Sequence, residues 1–313
     1  MILTHASRCK DFSHTSFAEI RAFAEILRDE LIFRAVEVKD FQDLETIGYV
    51  EDLTVFVAGP KMNETVAELA NNCQNLYIVI QDPNWPTSLS AIKRDFILLT
   101  PFRALETLDH SRAIRMLKRN IPTLDTRYIK EQYVIDFGSM LAYNEHYLER
   151  YWEKLNVYNL NKQNADCYVG SLKKDRITQL SYIADRQKVH FYGNFTREDF
   201  VKMSSSKHQY EDCEFFGKIA PSEVLKVYLS HKRVIFCPDN KIFDLDTSYL
   251  RIGEMCLAEC KPLIVSHRRD ILRSLDHLMD DDGKLRWSAF VKDCRSRDMI
   301  SQIRKAYCEV LEE

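Results

Sequence analysis

Asp82 follows the apolar run Leu76-Tyr77-Ile78-Val79-Ile80, which reads as a buried strand, and it precedes Pro83. A carboxylate at the end of such a strand could take a proton from an attacking hydroxyl as a general base. An ordinary turn residue before proline has the same sequence, so Asp82 by itself decides nothing. A second group lies further along the chain, where Gly170-Ser171 forms a small-residue turn followed by Lys173, Lys174 and Arg176. Backbone open to close approach, followed by cations, suits a diphosphate, whose oxygens need donors and positive charge. A solvated basic helix start would look alike. Arg251 and Glu254 stand three residues apart behind Asp246, Thr247 and Ser248, any of which can cap a helix. An arginine there could hold phosphate and the carboxylate could accept from two ribose hydroxyls, or the two could form a surface ion pair. Gly193 and the turn Gly217-Lys218-Ile219 end two further apolar segments. Glycine at such a place lets backbone approach a base or phosphate, or simply ends a strand.

The elements that must position these residues alternate in the α/β manner. In the first half, strands are expected at Met1 to Thr4, Phe33 to Val38, Leu53 to Ala58, Leu76 to Ile80 and Phe96 to Leu99. Helices are expected from Phe17 to about Glu30, from Glu64 to Asn71 and from Leu105 to Arg119. The Tyr- and Glu-rich stretch from Asp136 to Leu160 reads as an interdomain helix or arm. From Asp166 a second set begins, with four short apolar strands that each run into a glycine-bearing or polar loop: Asp166 to Lys174, Val189 to Asn194, Phe215 to Ile219, and Val234 to Asp239. Helices at Thr178 to Asp185, Pro221 to Ser230 and Ser248 to Glu259 separate them, a polar segment surrounds Ser204-Ser205-Ser206, and Leu263 to Val265 is a further strand. A last amphipathic helix runs from Asp298 to Leu311. Loops that all leave the same ends of parallel strands line one edge of a sheet, which is where open α/β sheets bind ligands.

At 313 residues the chain accommodates two ordinary domains. The expected division is residues 1–162, completed by the helix 298–313, and residues 163–297. A hydrophobic fraction of 45% with 29% charged residues is that of a globular protein, and no apolar segment is long enough for a membrane span. Nine cysteines without a CxxC or Cys/His spacing argue against structural zinc and for a reducing compartment. Residues 1–10 carry no signal-peptide core. A net charge of −3 argues against a protein that coats nucleic acid nonspecifically, but not against an enzyme whose positive charge is local. Arg112, Arg115, Lys118 and Arg119 supply one such local cluster, which could face DNA phosphates or be a solvated helix face.

Taken in order, YVGSLKKDR (168–176), HFYGNF (190–195), FFGKI (215–219) and LRIGEMCLAECKPLIV (250–265) resemble the donor-binding half of the DNA β-glucosyltransferase family of T-even bacteriophages. LYIVIQDPNWP (76–86) is similar to the family strand that ends in its catalytic aspartate. The resemblance implies an α/β, GT-B fold of two facing Rossmann-like domains with a central cleft. It implies an inverting transfer of sugar from a UDP-sugar to 5-hydroxymethylcytosine in double-stranded DNA, within the cytoplasm of an infected bacterial cell. The target base would flip out of the stack to be reached. Residue by residue, Asp82 would be the base, Gly170, Ser171, Lys173 and Arg176 would serve the diphosphate, and Gly193, Lys218 and Ile219 would line the nucleotide pocket. Arg251 would take phosphate and Glu254 ribose. Lys173 stands where the family has arginine, and Arg176 is offset by about one position from a second family arginine.

One departure bears on the donor. The family's glycine-containing N-terminal loop is replaced by Ala6-Ser7-Arg8-Cys9-Lys10-Asp11-Phe12, which has no glycine. That loop would lie near the transferred sugar, so both UDP-glucose and UDP-arabinose stay open as donors. A divalent metal is compatible with the site, although no carboxylate pair demands one. A monomer is expected. An acceptor other than DNA (a glycan, lipid or metabolite) and a catalytically inert nucleotide-binding module are the alternatives.

Overall fold

The structure is a computed structural model that describes residues 2–5, 37–39, 54–58, 64–80, 91–122, 124–136, 142, 160, 162–205, 209–220, 223–238, 249–266, 275–299, 301–303 and 305–306. The chain divides into two compact units: residues 1–144, 242–247 and 294–313, and residues 145–241 and 248–293.

The first unit is built on a six-stranded sheet of β1 (Ile2–His5), β2 (Glu37–Lys39), β3 (Thr54–Ala58), β4 (Asn75–Val79), β5 (Phe96–Thr100) and β6 (Ile129–Val134). Its order is β2-β1-β3-β4-β5-β6, and every neighbouring pair is parallel. β5 is buried throughout and β4 beyond its first residue, which explains their unbroken apolar sequences: strands covered on both faces have no polar side to show. Helices α1 (Glu64–Asn72) and α2 (His110–Asn120) contribute Ala70, Ala113 and Leu117 to a core shared with Val55, Ile78, Phe96 and Leu98. Asp109 caps α2 by accepting from the Arg112 amide at 2.9 Å. Tyr77 donates to the Ala306 carbonyl at 3.4 Å, so the last helical residues pack on this unit. Asp136, just past β6, is buried; it accepts from Arg297 at 3.0 Å, and its amide donates to Gln302 at 3.0 Å.

The second unit holds β7 (Gln163–Val169), β8 (Val189–Tyr192), β9 (Glu214–Phe215), β10 (His231–Phe236) and β11 (Pro262–Ile264). The order is β11-β10-β7-β8-β9, again all parallel. The helices are α3 (Lys174–Ala184), α4 (Arg197–Ser204), α5 (Val224–Ser230) and α6 (Tyr249–Leu257), and α7 (Trp287–Arg297) begins in this unit and ends in the first, to which the chain belongs from residue 294. Tyr168, Phe191 and Ile235 from the strands pack with Ile177 and Leu180 of α3 and Phe200 of α4. The chain moves outward from β7 to β8 and β9, then returns to the other side of β7 for β10 and β11. The β7–β10 boundary is therefore the switch point of the sheet.

Three elements are additional to those expected from the sequence. β6 forms an edge where no strand is expected; its residues are mostly half-buried, so it carries no continuous apolar run. α4 occupies the segment expected to be polar and irregular. A reciprocal Thr196/Asp199 capping box starts it and fully buried Phe200 anchors it. α7 precedes the expected C-terminal helix. Asp298, with φ of 40°, breaks the backbone between them. The segment expected as an arm, 136–160, lies largely outside the described residues, as does the first expected helix.

Candidate functional site

The carboxyl edge of the second sheet gathers most of the residues singled out in the sequence. Gly170 follows β7 directly, and its amide donates to the Tyr192 carbonyl at 2.9 Å. One strand over, the Gly193 amide donates to the Gly217 carbonyl at 2.8 Å, and the Phe216 amide to the Phe191 carbonyl at 2.9 Å. Three glycine turns that are far apart in sequence are thus stitched into one continuous rim. Gly193 is required by space. A Cβ there would lie 2.2 Å from the Gly170 carbonyl oxygen and 2.4 Å from Phe195. Gly217 is required by conformation, with φ of +75° and open space around a notional Cβ. Beyond it, Lys218 is exposed and Ile219 half-buried.

Ser171 is exposed and Lys173 half-buried at the entry to α3. Lys173 is the N-cap, with extended backbone and no side-chain hydrogen bond to the first-turn amides. A helix start capped in this way presents N–H groups to an anion. Arg176 follows in the first turn and is buried; its Nη1 donates to the Tyr168 hydroxyl at 3.4 Å. The Tyr168 hydroxyl in turn donates to the Ser171 carbonyl at 2.9 Å.

Across the switch point, Arg251 in the first turn of α6 donates from Nη1 to the Val169 carbonyl at 3.0 Å. The same atom would be 3.2 Å from a Cβ on Gly170, so the guanidinium lies against the glycine turn. Glu254, one turn further along α6, is buried. Tyr228 of α5 is fully buried near both; burial pushes its phenol well up, with Arg251 pulling the other way. Arg176 and Arg251 each sit third from the start of a helix, where the helix dipole opposes a cation. Two such placements on either side of one switch point make an edge suited to an anionic ligand.

The edge brings together Gly170, Ser171, Lys173, Arg176, Gly193, Lys218, Ile219, Arg251 and Glu254 from one unit. Asp82 and residues 6–12 lie outside the described residues, two positions past Ile80 in the first case. Arg112, Arg115, Lys118 and Arg119 are exposed on α2, whose buried side carries Ala113 and Leu117. Arg112 pairs with its own cap, Asp109, at 3.2 Å. Among the described residues, no cluster of three or more His, Cys, Asp or Glu could hold a metal, and no helix is long and apolar enough to cross a membrane.

Two groups beside the edge escape notice in the sequence. Tyr192 and Phe216 stack with ring centres 4.9 Å apart and planes 10° from parallel. Beneath them, His190 and His231 share a 2.9 Å hydrogen bond although 41 residues separate them. The cue for Tyr168 is available locally: an aromatic two residues before a turn glycine, on the opposite face of the strand from its neighbours.

Two parallel-sheet Rossmann-like units of this kind define the α/β GT-B fold class. No protein-family model and no curated protein matches the chain. Solved structures do. T4 phage BGT in complex with its UDP-glucose substrate superposes with a TM-score of 0.63 at 13% identity, over 97% of this chain and 98% of that one. The DNA-modifying enzyme β-glucosyltransferase, solved with and without uridine diphosphoglucose, gives 0.63 at 14% identity over 98% and 99%. AviGT4, a glycosyltransferase involved in avilamycin A biosynthesis, gives 0.50 at 9% identity over 99% and 98%. The chain has the fold of these glycosyltransferases along its whole length, and the phage enzymes are those of the family that the motifs resemble.

Proposed function

We propose that the protein is an inverting glycosyltransferase that moves glucose or arabinose from a UDP-sugar to 5-hydroxymethylcytosine in phage DNA. The observation that carries this reading is the pair of arginines at two helix starts, Arg176 and Arg251, flanking the Gly170 turn at the switch point. A diphosphate placed there would meet first-turn amides, the Ser171 side chain, Lys173 and Arg251. Lys218 and Ile219 would line the nucleoside side, and Glu254 would accept from the ribose hydroxyls. The likeness in fold to an enzyme solved with UDP-glucose supports a nucleotide-sugar donor.

In the reaction, Asp82 takes the proton of the hydroxymethyl group as its oxygen attacks the anomeric carbon. The bond from that carbon to the diphosphate breaks, and UDP leaves with the electron pair. One displacement inverts the anomeric centre. Positive charge along the edge stabilises the charge that builds on the departing diphosphate. The base reaches the site out of the duplex stack. The reaction belongs in the cytoplasm of an infected bacterium, where such DNA is made. An acceptor other than DNA is the second reading, favoured by the net charge of −3.

The deciding experiment incubates the protein with hydroxymethylcytosine-containing DNA and ordinary DNA, each with UDP-glucose or UDP-arabinose, and weighs the released nucleosides. A hexose or pentose mass gain confined to the modified DNA is expected. No gain with either donor would reject the DNA reading. Asp82→Ala should keep UDP affinity and lower transfer by at least about 100-fold, as loss of a general base does. Transfer at the wild-type rate in that variant removes Asp82 from the mechanism.

A further inference from the structure

The turn that would receive the diphosphate is held from beneath by a side chain that has no access to the ligand. Tyr168 is fully buried on β7, with its ring edge-on to Phe191 at 6.1 Å between centres. Its packing would be complete without a hydroxyl, because the neighbours in its cluster are apolar. The hydroxyl nevertheless reaches past Gly170, where a Cβ would come within 3.1 Å of it, and donates to the Ser171 carbonyl at 2.9 Å. A phenol can donate once and accept as well. Its accepting side is met by Nη1 of buried Arg176 at 3.4 Å. The result is a chain of donors running from Arg176 through Tyr168 to the carbonyl of the exposed residue in the turn.

We propose that Tyr168 is a positioning residue of the donor site: its hydroxyl, backed by Arg176, fixes the Gly170–Ser171 turn so that the turn's outward groups meet the diphosphate already in place. The proposal rests on the UDP-sugar reading and deepens it. It also gives Arg176 a different task from Lys173 and Arg251. Arg176 acts through Tyr168 and adds positive charge behind the turn, rather than bonding the ligand's oxygens. The turn is thereby held on two sides. Arg251 bonds the carbonyl before Gly170, and Tyr168 bonds the carbonyl after it. Holding a loop in its binding conformation raises affinity because less ordering remains to be done on binding.

Tyr168→Phe removes one oxygen and keeps the ring. In the full-length protein, UDP binding measured by calorimetry is expected to weaken about fivefold, the equivalent of one hydrogen bond's net contribution. The donor KM should rise in step while the acceptor KM does not move, a split that a general loss of folding would not produce. Amide exchange in the free protein should speed up at residues 170–173 and stay unchanged in β8 and β10. Arg176→Met should weaken UDP in the same direction, and combining it with Tyr168→Phe should add less than the sum of the two, since both break one chain. Equal UDP affinity in wild type and Tyr168→Phe overturns the proposal, as does faster exchange spread over the whole unit. A wild-type protein that binds no UDP would instead refute the donor reading, and the exchange comparison would still test whether Tyr168 holds the turn.

Discussion

The two ends of the second sheet use arginine in opposite ways. At the amino end, Arg233 meets the buried carboxylate of Asp166 at 3.0 and 2.7 Å, and Gln187 donates to the same carboxylate at 2.6 Å. The cation and the anion answer each other within the fold, and the pair lies away from the switch-point loops. At the carboxyl end, Arg251 donates to a main-chain carbonyl, a neutral acceptor, and stands where a helix start opposes a cation. An arginine matched by a buried carboxylate holds the sheet together. One held in position by a neutral oxygen, as Arg251 is, keeps its charge for something that arrives. Charge type alone does not tell the two apart; the acceptor does.

Exchanging the roles by mutation is the most direct way to break this contrast. Arg233→Met should leave Asp166 buried without its cation and cost about 3 kcal/mol of stability, with UDP affinity unchanged in the folded fraction. Thermal unfolding followed by circular dichroism reads the first, and calorimetry below the transition reads the second. Arg251→Met should do the reverse, weakening UDP about 10- to 30-fold, as expected for a lost charge-assisted hydrogen bond, with a small change in melting. If Arg233→Met were to weaken UDP as strongly as Arg251→Met, the division between the ends would be wrong.

The rim glycines sharpen the contrast on a smaller scale. Gly193→Ala places a methyl 2.2 Å from backbone at Gly170, so the strand ends must part. It is expected to cost about 2 kcal/mol and to disturb the donor site along with stability. Gly217→Ala meets no neighbour and carries only the left-handed φ of +75°, a cost of about 1 kcal/mol. Denaturant titration of both variants should rank them in that order. A Gly217 variant that is less stable than the Gly193 variant would contradict the close approach of β7 and β8.

The smallest effect concerns the histidine pair of β8 and β10. The Val227 carbonyl only accepts, so His231 donates to it from Nδ1 at 2.7 Å, with Ser230 Oγ also 3.0 Å from that nitrogen. His231 Nε2 then accepts from His190 Nδ1. Neutral His190 is left with a bare Nε2 3.4 Å from Glu214, a carboxylate that also pairs with Lys188 at 2.5 Å. Burial holds both imidazoles below their ordinary 6.5, against the opposing pulls of Glu214 on His190 and of the Val227 carbonyl and Asp166 on His231. With folded values depressed, the unfolded chain binds protons first. Stability is therefore full above about pH 6.5 and falls as the pH drops toward the depressed values. His190→Gln should flatten that slope in melting temperature between pH 7 and pH 5. A slope as steep as the wild type's would assign the acid sensitivity to other groups.

Legibility in the sequence followed local chemistry. β4 and β5 announce themselves because strands buried on both faces are written as unbroken apolar runs. Gly170, Gly193 and Gly217 are visible because a turn that needs close approach or positive φ admits little else. The capping box of Thr196 and Asp199 was equally present in the sequence, yet the serines downstream draw the eye to a loop. β6 was hidden because a half-buried edge strand needs no pattern strong enough to recognise.

By itself, the sequence determined the alternating α/β plan, the order of the strand-to-loop units and the residue types available at their ends. These follow from periodicity and from the backbone demands of single residues, which are local. Only the tertiary structure decided that Gly193 abuts the Gly170 carbonyl, that Arg251 reaches back to Val169 across 82 residues, and that His190 meets His231. Parallel strands pair through crossovers, so neighbours at their carboxyl ends are separated in sequence by whole helices. The acceptor that distinguishes a structural arginine from a binding one is therefore found only after the sheet has formed.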